Sequence, residues 1–390
     1  MKNYLIIISS LALSIVSCGK SDTYEDVTYP NVKAAFGTKI DLENLSNYAN
    51  QTIPSYITKS NINGNPVTDK GATLGRVLFY DKNLSSNNTI SCSSCHKQSL
   101  AFTDDAIASQ GVNGTTGRHS MRLINTRFAA ETKFFWDERA ANLETQTSMP
   151  IKDHAEMGYS GSNGDASIST LLTKLSGIGY YKELFKFVYG SEEITENKIQ
   201  LALAQFIRSI QSFDSKYDTG RALVANDNVN FPNFTAQENT GKNLFNTPPV
   251  FDATGNRTSG GLGCAGCHKA PEFDIDPNTL SNGIGGSIAG GQDFTNTRAP
   301  SLRDLVKTDG TINSQLMHTG VITSLQAAIG HYGDLTNAAS NNTNLDPRLK
   351  PNGFGQKLNL TATEVNAVIA FLKTLSGTNV YTDTKWSSPF

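Results

Sequence analysis

The sequence predicts an all-α fold of two similar domains with long loops, on three observations. Apolar residues recur at helical spacing in residues 195–213 and in residues 361–375, and the second segment opens with a helix-start pattern of Thr361 and Glu364. The alternation of polar and apolar residues that indicates strands is weak throughout. The segment GRVLFYDKNLSS before CSSCHKQ also has a counterpart, GKNLFNTPPVFD before CAGCHKA, so one module occurs twice.

The N-terminus predicts export and lipid anchoring. Lys2 precedes an apolar run over residues 5–16, which fits the core of a secretion signal and is too short to span a bilayer. The run ends at Cys18, followed by Gly, and this ending resembles a bacterial lipobox; the alternative is an ordinary cleaved signal with a chance cysteine. Residues 1–17 are thus predicted to be a lipoprotein signal peptide. Cys18 would hold the mature protein on a membrane surface in the periplasm.

Composition divides the remainder of the chain. Residues 18–65 are polar and lack periodicity, which indicates an N-terminal tether. Residues 66–225 and residues 226–380 each contain one copy of the repeated module, and we predict these to be the two domains. Three loops are indicated by accumulated Gly, Ser and Asn, at residues 158–167, 252–263 and 277–292.

Length and charge limit the classes of function. The chain has 390 residues, enough for two ordinary domains. Its 33 Lys and Arg residues against 35 Asp and Glu give a net charge of −2, without the basic excess typical of nucleic-acid binders. We therefore expect no nucleic-acid partner.

Four of the five cysteines lie in two CxxCH motifs, residues 92–96 and residues 264–268. Zinc would use the four thiolates but leave each following His without a role. Thiol redox chemistry favours a neighbouring βαβ pattern, which the sequence lacks. A c-type haem uses both Cys as thioether anchors and the His as an iron ligand.

Duplication of the motif in a chain predicted to be exported favours two covalently bound haem c groups. Each domain is then predicted to be a cytochrome c-like haem domain. The attachment residues and proximal iron ligands of the two haems would be Cys92, Cys95 and His96, and Cys264, Cys267 and His268.

Several further motifs fall in order between about residue 70 and residue 375: LGRVLFYDKNLSS, FFWDERA, QTSMPI, AEMG, RAPSLRDL and MHTGVITSLQAAIGHYG. In these motifs the chain resembles the bacterial di-haem cytochrome c peroxidases, the family that also contains MauG. The resemblance implies that the first haem binds hydrogen peroxide. The second haem would take electrons from a small periplasmic donor, a cytochrome c or a copper protein.

The same resemblance implies three catalytic residues in the first domain. Trp136 would lie between the haems, although simple core packing is the commoner role of a buried Trp. Gln146 and Glu156 follow it by ten and twenty residues, as the distal residues do in the family. Glu156 would move a proton between the two peroxide oxygens, and Gln146 would orient the peroxide. The alternative for Glu156 is an ordinary surface carboxylate. Arg127 and Arg139 are candidate partners of haem propionates.

The chain departs from the family pattern at two places. No His lies between Lys97 and Arg118, where many members carry a ligand that leaves the first iron on activation. We therefore expect this iron to be open at rest. His119 occupies the position of an Asn that helps to hold calcium, and a neutral His is a poor ligand for this cation, which argues against calcium here. The sixth ligand of the second iron is left between Met317 and Tyr332, and counting along the family motif favours Tyr332.

Three functions compete at this point. The leading hypothesis is a peroxidase that reduces hydrogen peroxide to water, with electrons passing through the second haem to the first. The alternative is a MauG-like oxidase that modifies Trp or Tyr of a partner protein through high-valent iron. A non-catalytic electron carrier is the third, and Gln146 and Glu156 argue against it. Family members are often dimers, so the resemblance is compatible with a homodimer, although the sequence contains no interface signal.

Overall fold

The computed structural model describes residues 28–62, 64–275 and 277–390, so the predicted signal peptide and Cys18 lie outside the described residues. The regular secondary structure of the described residues is mostly helical, with little strand. Its helices are α1 (Pro30–Phe36), α2 (Asp69–Tyr80), α3 (Cys92–Cys95), α4 (Leu143–Ser148), α5 (Ile168–Ser176), α6 (Gly179–Tyr189), α7 (Glu196–Ser209), α8 (Lys216–Arg221), α9 (Ala236–Asn246), α10 (Leu325–His331), α11 (Thr336–Asn341) and α12 (Ala362–Lys373).

The expectation of an all-α fold needs a correction, because the described residues also form two small antiparallel sheets. Strand β1 (Pro249–Phe251) pairs with β2 (Arg257–Gly260), and β3 (His268–Lys269) pairs with β4 (Asp274–Ile275). These strands have two to four residues, too few for an alternating pattern to be visible in the sequence. The β1–β2 hairpin lies between α9 and the second CxxCH motif, which explains why this motif follows its helix at a longer spacing than the first.

The repeated module folds twice as the same pair of crossing helices. The first half of the structure contains the crossing of α2 with α7, and the second half contains the crossing of α9 with α12. Gly75 of α2 lies against α7, and Gly241 of α9 lies against α12. A Cβ atom at Gly75 would lie 2.0 Å from the Ala202 carbonyl oxygen, and one at Gly241 would lie 1.9 Å from the Ala367 carbonyl oxygen. Because only glycine permits so close an approach of two backbones, the repeat encodes a crossing in each half and not only a short motif.

Within the part of the chain that the structure describes, buried apolar side chains form two separate core clusters. The first cluster surrounds the α2–α7 crossing and includes Leu74, Phe79 and Phe206. The second surrounds the α9–α12 crossing and includes Phe245 and Phe371. Cys92 packs at the edge of the first cluster and Cys264 at the edge of the second, so each CxxCH motif has its own core.

The segment predicted to be a tether is in part packed structure. Within residues 28–65, Val32 and Phe36 of α1 and also Tyr48 are buried in the first core cluster. The chain end returns to the same cluster, where Trp386 Nε1 donates a hydrogen bond to Ser209 Oγ at 3.2 Å and Tyr48 Oη donates to the Lys385 carbonyl oxygen at 2.5 Å. The few apolar residues in this polar segment are too widely spaced to show a period, but they pack against distant helices.

Among the described helices, we find none whose length and apolar character would allow it to cross a bilayer.

Candidate active site

The first CxxCH motif is carried by the short helix α3 and the residue that follows it. Ala101 and Phe102 have left-handed backbones, with φ of 57° and 59°, and turn the chain back towards His96. The Phe102 carbonyl oxygen consequently lies 3.0 Å from His96 Nδ1. A partner on one ring nitrogen is the usual means of fixing the tautomer of a metal-ligating His, with the other nitrogen as the atom that binds the metal.

Glu156 lies close to this motif. Its negative charge adds to the rise in the pKa of the Cys92 thiol to about 12 and of the Cys95 thiol to about 11, both caused mainly by burial. Burial, followed by the charge of Asp153, in turn raises the pKa of Glu156 to about 7. Glu156 is therefore not an ordinary surface carboxylate, since its carboxyl group exchanges a proton near neutral pH.

The backbone around Glu156 is held by a neighbouring loop. The Glu156 carbonyl oxygen accepts a hydrogen bond from Val112 N at 2.9 Å, and the Ala155 carbonyl oxygen accepts one from Asn113 N at 3.2 Å. A Cβ atom at Gly111 would lie 2.0 Å from the Ala155 carbonyl oxygen, so this loop needs a glycine to approach. These contacts fix the turn that carries Glu156 beside the first motif.

Gln146 lies on α4, whose start is capped by Asn142 through a hydrogen bond from Thr145 N to the Asn142 side chain. The side chain of Gln146 is partly buried. The neighbouring Glu144 has a different role, because it forms an ion pair with the buried Arg208, with 3.1 Å between Glu144 Oε2 and Arg208 Nη2. This pair joins α4 to α7.

A cavity of about 700 Å³ lies beside the second CxxCH motif, within the usual volume range of a ligand pocket. Its lining includes Cys264, Cys267 and His268, and it also includes both candidates for the sixth ligand, Met317 and Tyr332. Burial, followed by the charge of Cys267, raises the pKa of Tyr332.

Two buried nitrogen atoms at this cavity lack hydrogen-bond partners among the described residues: His268 Nδ1 and Arg122 Nε. Burial lowers the pKa of His268 to about 4, and the charge of Arg122 adds to this effect. Burial also lowers the pKa of Arg122 to about 10. A neutral imidazole beside two thiols and an unpaired guanidinium nitrogen fit a haem that carries iron and anionic propionates.

Residues of the first half complete the wall of the cavity beside the second CxxCH motif, here named the second cavity after that motif. Trp136 is buried and lines it, with its indole Nε1 donating to the His119 carbonyl oxygen at 2.7 Å. The Trp136 ring meets the His318 ring edge to face, with 6.2 Å between centroids. The His119 amide donates to the His318 carbonyl oxygen at 2.7 Å. Trp136 therefore lies where the two halves meet.

His119 is buried, and both of its ring nitrogens face protein atoms. Nδ1 is 2.9 Å from the Ala106 carbonyl oxygen, and Nε2 is 3.4 Å from Ser314 Oγ. The adjacent Arg118 bridges two carboxylates, with 2.7 Å from Nη1 to Asp137 Oδ2 and 2.9 Å from Nη2 to Asp293 Oδ2. Where the two halves meet, the Arg118 side chain thus supplies the positive charge that pairs with the Asp137 and Asp293 carboxylates.

Neither Arg127 nor Arg139, the two arginines that the sequence suggested for haem propionates, is among the described residues that line the cavity. Its lining includes three other arginines, Arg122, Arg298 and Arg348. Arg139 forms an ion pair with Asp137 at 2.8 Å, and Arg127 lies over the Phe128 ring. Arg122 lines the cavity, and its Nη2 donates to the Ser301 carbonyl oxygen at 2.9 Å. The sequence offers no local signal for Arg122, because its hydrogen-bond partner Ser301 is 179 residues away along the chain.

The chain is similar to di-haem proteins in three comparisons. The family model described as di-haem cytochrome c peroxidase matches residues 69–224. The methylamine utilization protein MauG of Methylorubrum extorquens is 28% identical over 322 residues, covering 80% of this chain and 79% of that protein. The cytochrome c551 peroxidase of Nitrosomonas europaea is 28% identical over 320 residues, covering 78% and 80%. The crystal structure of a MauG-like protein associated with microbial copper homeostasis has a TM-score of 0.64 and 26% identity, covering 87% of this chain and 99% of that one.

Proposed function

Since the chain belongs to the bacterial di-haem cytochrome c peroxidase and MauG family, we propose that it is a peroxidase that reduces hydrogen peroxide to water. The single observation that carries this proposal is the proximity of Glu156 to the first CxxCH motif, with a pKa near neutrality. An electron carrier without catalytic function needs no such group. The peroxide site would be in the first half, and electrons would enter through the second.

Each CxxCH motif would hold one covalent haem c, and each half would be a cytochrome c-like haem domain. Thioether bonds would join the haems to Cys92 and Cys95 and to Cys264 and Cys267. His96 and His268 would be the proximal iron ligands. The volume of the second cavity and the unpaired Arg122 Nε support this assignment, since the guanidinium group would hold a propionate there.

The bound haem iron would supply the peroxide-binding position and deliver the two electrons that cleave the O–O bond. The deprotonated Glu156 carboxylate would take a proton from the oxygen nearer the iron and give it to the leaving oxygen. Gln146 would orient the peroxide through its amide group. One peroxide, two protons and two electrons then give two water molecules, and a pKa of about 7 allows Glu156 both to accept and to donate a proton at neutral pH.

Electrons would come from a small periplasmic redox protein and pass Trp136 on their way to the first half. The position of Trp136 in the cavity wall and against His318 supports this role. We propose Tyr332 as the sixth ligand of the second iron, in preference to Met317. We also propose residues 66–225 and 226–380 as the two domains, in a periplasmic protein anchored through the lipidated Cys18. A homodimer stays a prediction.

Calcium is not needed between the two halves in this proposal. The Asp137 and Asp293 carboxylates, which would attract a cation, are paired with Arg118. We also propose that the first iron has an open position in the resting protein, because the two ring nitrogens of His119 face protein atoms.

Steady-state peroxide consumption by the haem-loaded protein, with a reduced small cytochrome c as donor, tests the proposed reaction. We expect two donor molecules to be oxidised for each peroxide consumed. Donor oxidation no faster than that given by free haem at the same concentration would overturn the proposal.

A second function is favoured by the Tyr332 side chain in the second cavity. A tyrosine oxygen on the second iron suits a MauG-like oxidase that stores oxidising equivalents and modifies Trp or Tyr of a partner protein. Peroxide added without donor separates the two functions. A long-lived oxidised spectrum and a mass increase of a partner protein would favour the oxidase, and rapid return to the resting spectrum would favour the peroxidase.

A further inference from the structure

Asn282 contacts both side chains that compete for the second iron. Its Nδ2 donates a hydrogen bond to Met317 Sδ at 3.2 Å, and its side chain also hydrogen-bonds Tyr332. All three residues line the cavity beside the second CxxCH motif. One amide group therefore lies between the two candidate ligands.

The orientation of this amide is fixed by its surroundings. Asn282 Oδ1 accepts a hydrogen bond from Ile284 N at 3.0 Å, so that the Nδ2 group points to the cavity. The Asn282 carbonyl oxygen is 2.9 Å from Nε2 of His331. The His331 ring in turn contacts the Tyr332 ring, with 4.9 Å between centroids. The preceding Ser281 is fully buried and pairs with Leu345. These contacts hold both the backbone and the side chain of Asn282 in place.

The backbones of both candidate ligands are also held. Met317 lies in a tight turn with φ of 67°, where its carbonyl oxygen accepts from Gly320 N at 3.1 Å. Tyr332 follows the last residue of α10, and its carbonyl oxygen accepts from Gln356 Nε2 at 2.8 Å. Since neither backbone is free to adjust, the choice of ligand falls to the side chains.

We propose that Asn282 is the positioning residue that selects Tyr332 over Met317 as the sixth ligand of the second haem. The N–H···S hydrogen bond holds the weakly accepting thioether sulfur of Met317 against Asn282 and opposes its rotation towards the iron. The Tyr332 oxygen accepts from the same amide and still has a lone pair for the metal. The inference rests on the proposed function of this site, and it adds the residue that decides the ligand.

The test compares the haem-loaded wild type with Asn282→Leu, which keeps the side-chain size but removes both hydrogen bonds. We expect Met317 to replace Tyr332, which would produce the red charge-transfer band of ferric Met-ligated haem. The midpoint potential of the second haem should rise, because Met ligation raises it. The double variant Asn282→Leu with Met317→Leu should lose the new band. Asn337→Leu, which alters an exposed Asn of α11 outside the cavity wall, should keep the wild-type spectrum.

Met317→Leu alone covers the case in which Asn282→Leu does not load haem. It should leave the spectrum and the potential of the second haem unchanged, because Met317 is not a ligand in the wild type. A wild-type spectrum in a loaded Asn282→Leu protein, or a changed spectrum in Met317→Leu, would overturn the inference. Peroxide consumption is measured separately, so a protein without turnover that still changes its ligand would count against the proposed reaction and not against the role of Asn282.

Discussion

Gly75 and Gly241 lie at equivalent helix crossings, whereas the side chains that face the two CxxCH motifs differ. In the first half, the motif is close to the Glu156 carboxyl group, which exchanges a proton near neutral pH. In the second half, Tyr332 and Met317 line the cavity instead. The comparison teaches that one packing plan can hold two sites of different chemistry, because the crossing uses backbone contacts and leaves the facing side chains free to vary.

The largest expected effect concerns the chemistry of the first half. Glu156→Gln keeps the size of the side chain but cannot carry a proton between the peroxide oxygens, so kcat/KM for peroxide should fall by roughly 10²–10⁴-fold. In the wild type, the rate should rise with pH through about 7, because the deprotonated carboxylate takes the first proton. Steady-state assays with equal haem content measure both.

Glu192→Gln is the matched control for this change, since Glu192 is exposed in the same half. It should leave turnover unchanged. Wild-type turnover in Glu156→Gln would remove the chemical difference between the two halves on which the comparison depends.

The same carboxyl group should make stability depend on pH. The pKa of Glu156 rises from 4.5 to about 7 on folding, so the folded state binds more protons and stability falls as pH rises through this interval. Glu156→Gln has no carboxyl group to deprotonate, so its stability should not fall over this pH interval. Its free energy of unfolding should exceed that of the wild type by roughly 3 kcal/mol above pH 7, with no difference below about pH 4. Denaturant unfolding from pH 4 to 9 measures the difference, and a constant offset would show that the carboxyl group is not desolvated.

The shared packing plan predicts equal sensitivity of the two crossings. A methyl group at Gly75 or at Gly241 would lie within about 2 Å of a backbone oxygen of the facing helix. We expect Gly75→Ala and Gly241→Ala each to lower the free energy of unfolding by roughly 1–3 kcal/mol. Gly330→Ala in α10, where an added Cβ meets nothing within 4 Å, should stabilise slightly. Loss of stability in only one of the two variants would mean that the crossings are not equivalent.

The smallest effect tests the contribution of the first half to the second cavity. Arg122→Gln removes a buried positive charge. Such a charge favours the reduced state of a nearby haem, so its removal favours the oxidised state. The midpoint potential of the second haem should therefore fall, by on the order of 50 mV, with little change at the first. Arg127→Gln, whose guanidinium lies over the Phe128 ring, is the control and should change neither potential. Spectroelectrochemical titration separates the two haems.

Much of the scaffold could be predicted from the sequence, because it depends on short-range patterns. Helices α7 and α12 follow their apolar periods, and α12 begins with the expected capping pair, Thr361 and Glu364. The two CxxCH motifs are recognisable since both thiols and the His must reach one haem from a single turn. The strands were missed because they are too short to show a pattern, and the packing of residues 28–65 was missed because their partners are distant in sequence.

The sequence by itself determined the repeat, the helices of the two crossings and the residues available to hold two haems. Only the tertiary structure brought Arg122 and Trp136 of the first half into the wall of the second cavity. It also placed the Asn282 amide between Met317 and Tyr332, and buried the Glu156 carboxyl group enough to raise its pKa. The physical reason is that spacing along the chain fixes local geometry, whereas desolvation and hydrogen-bond partners depend on segments that meet only when the chain folds.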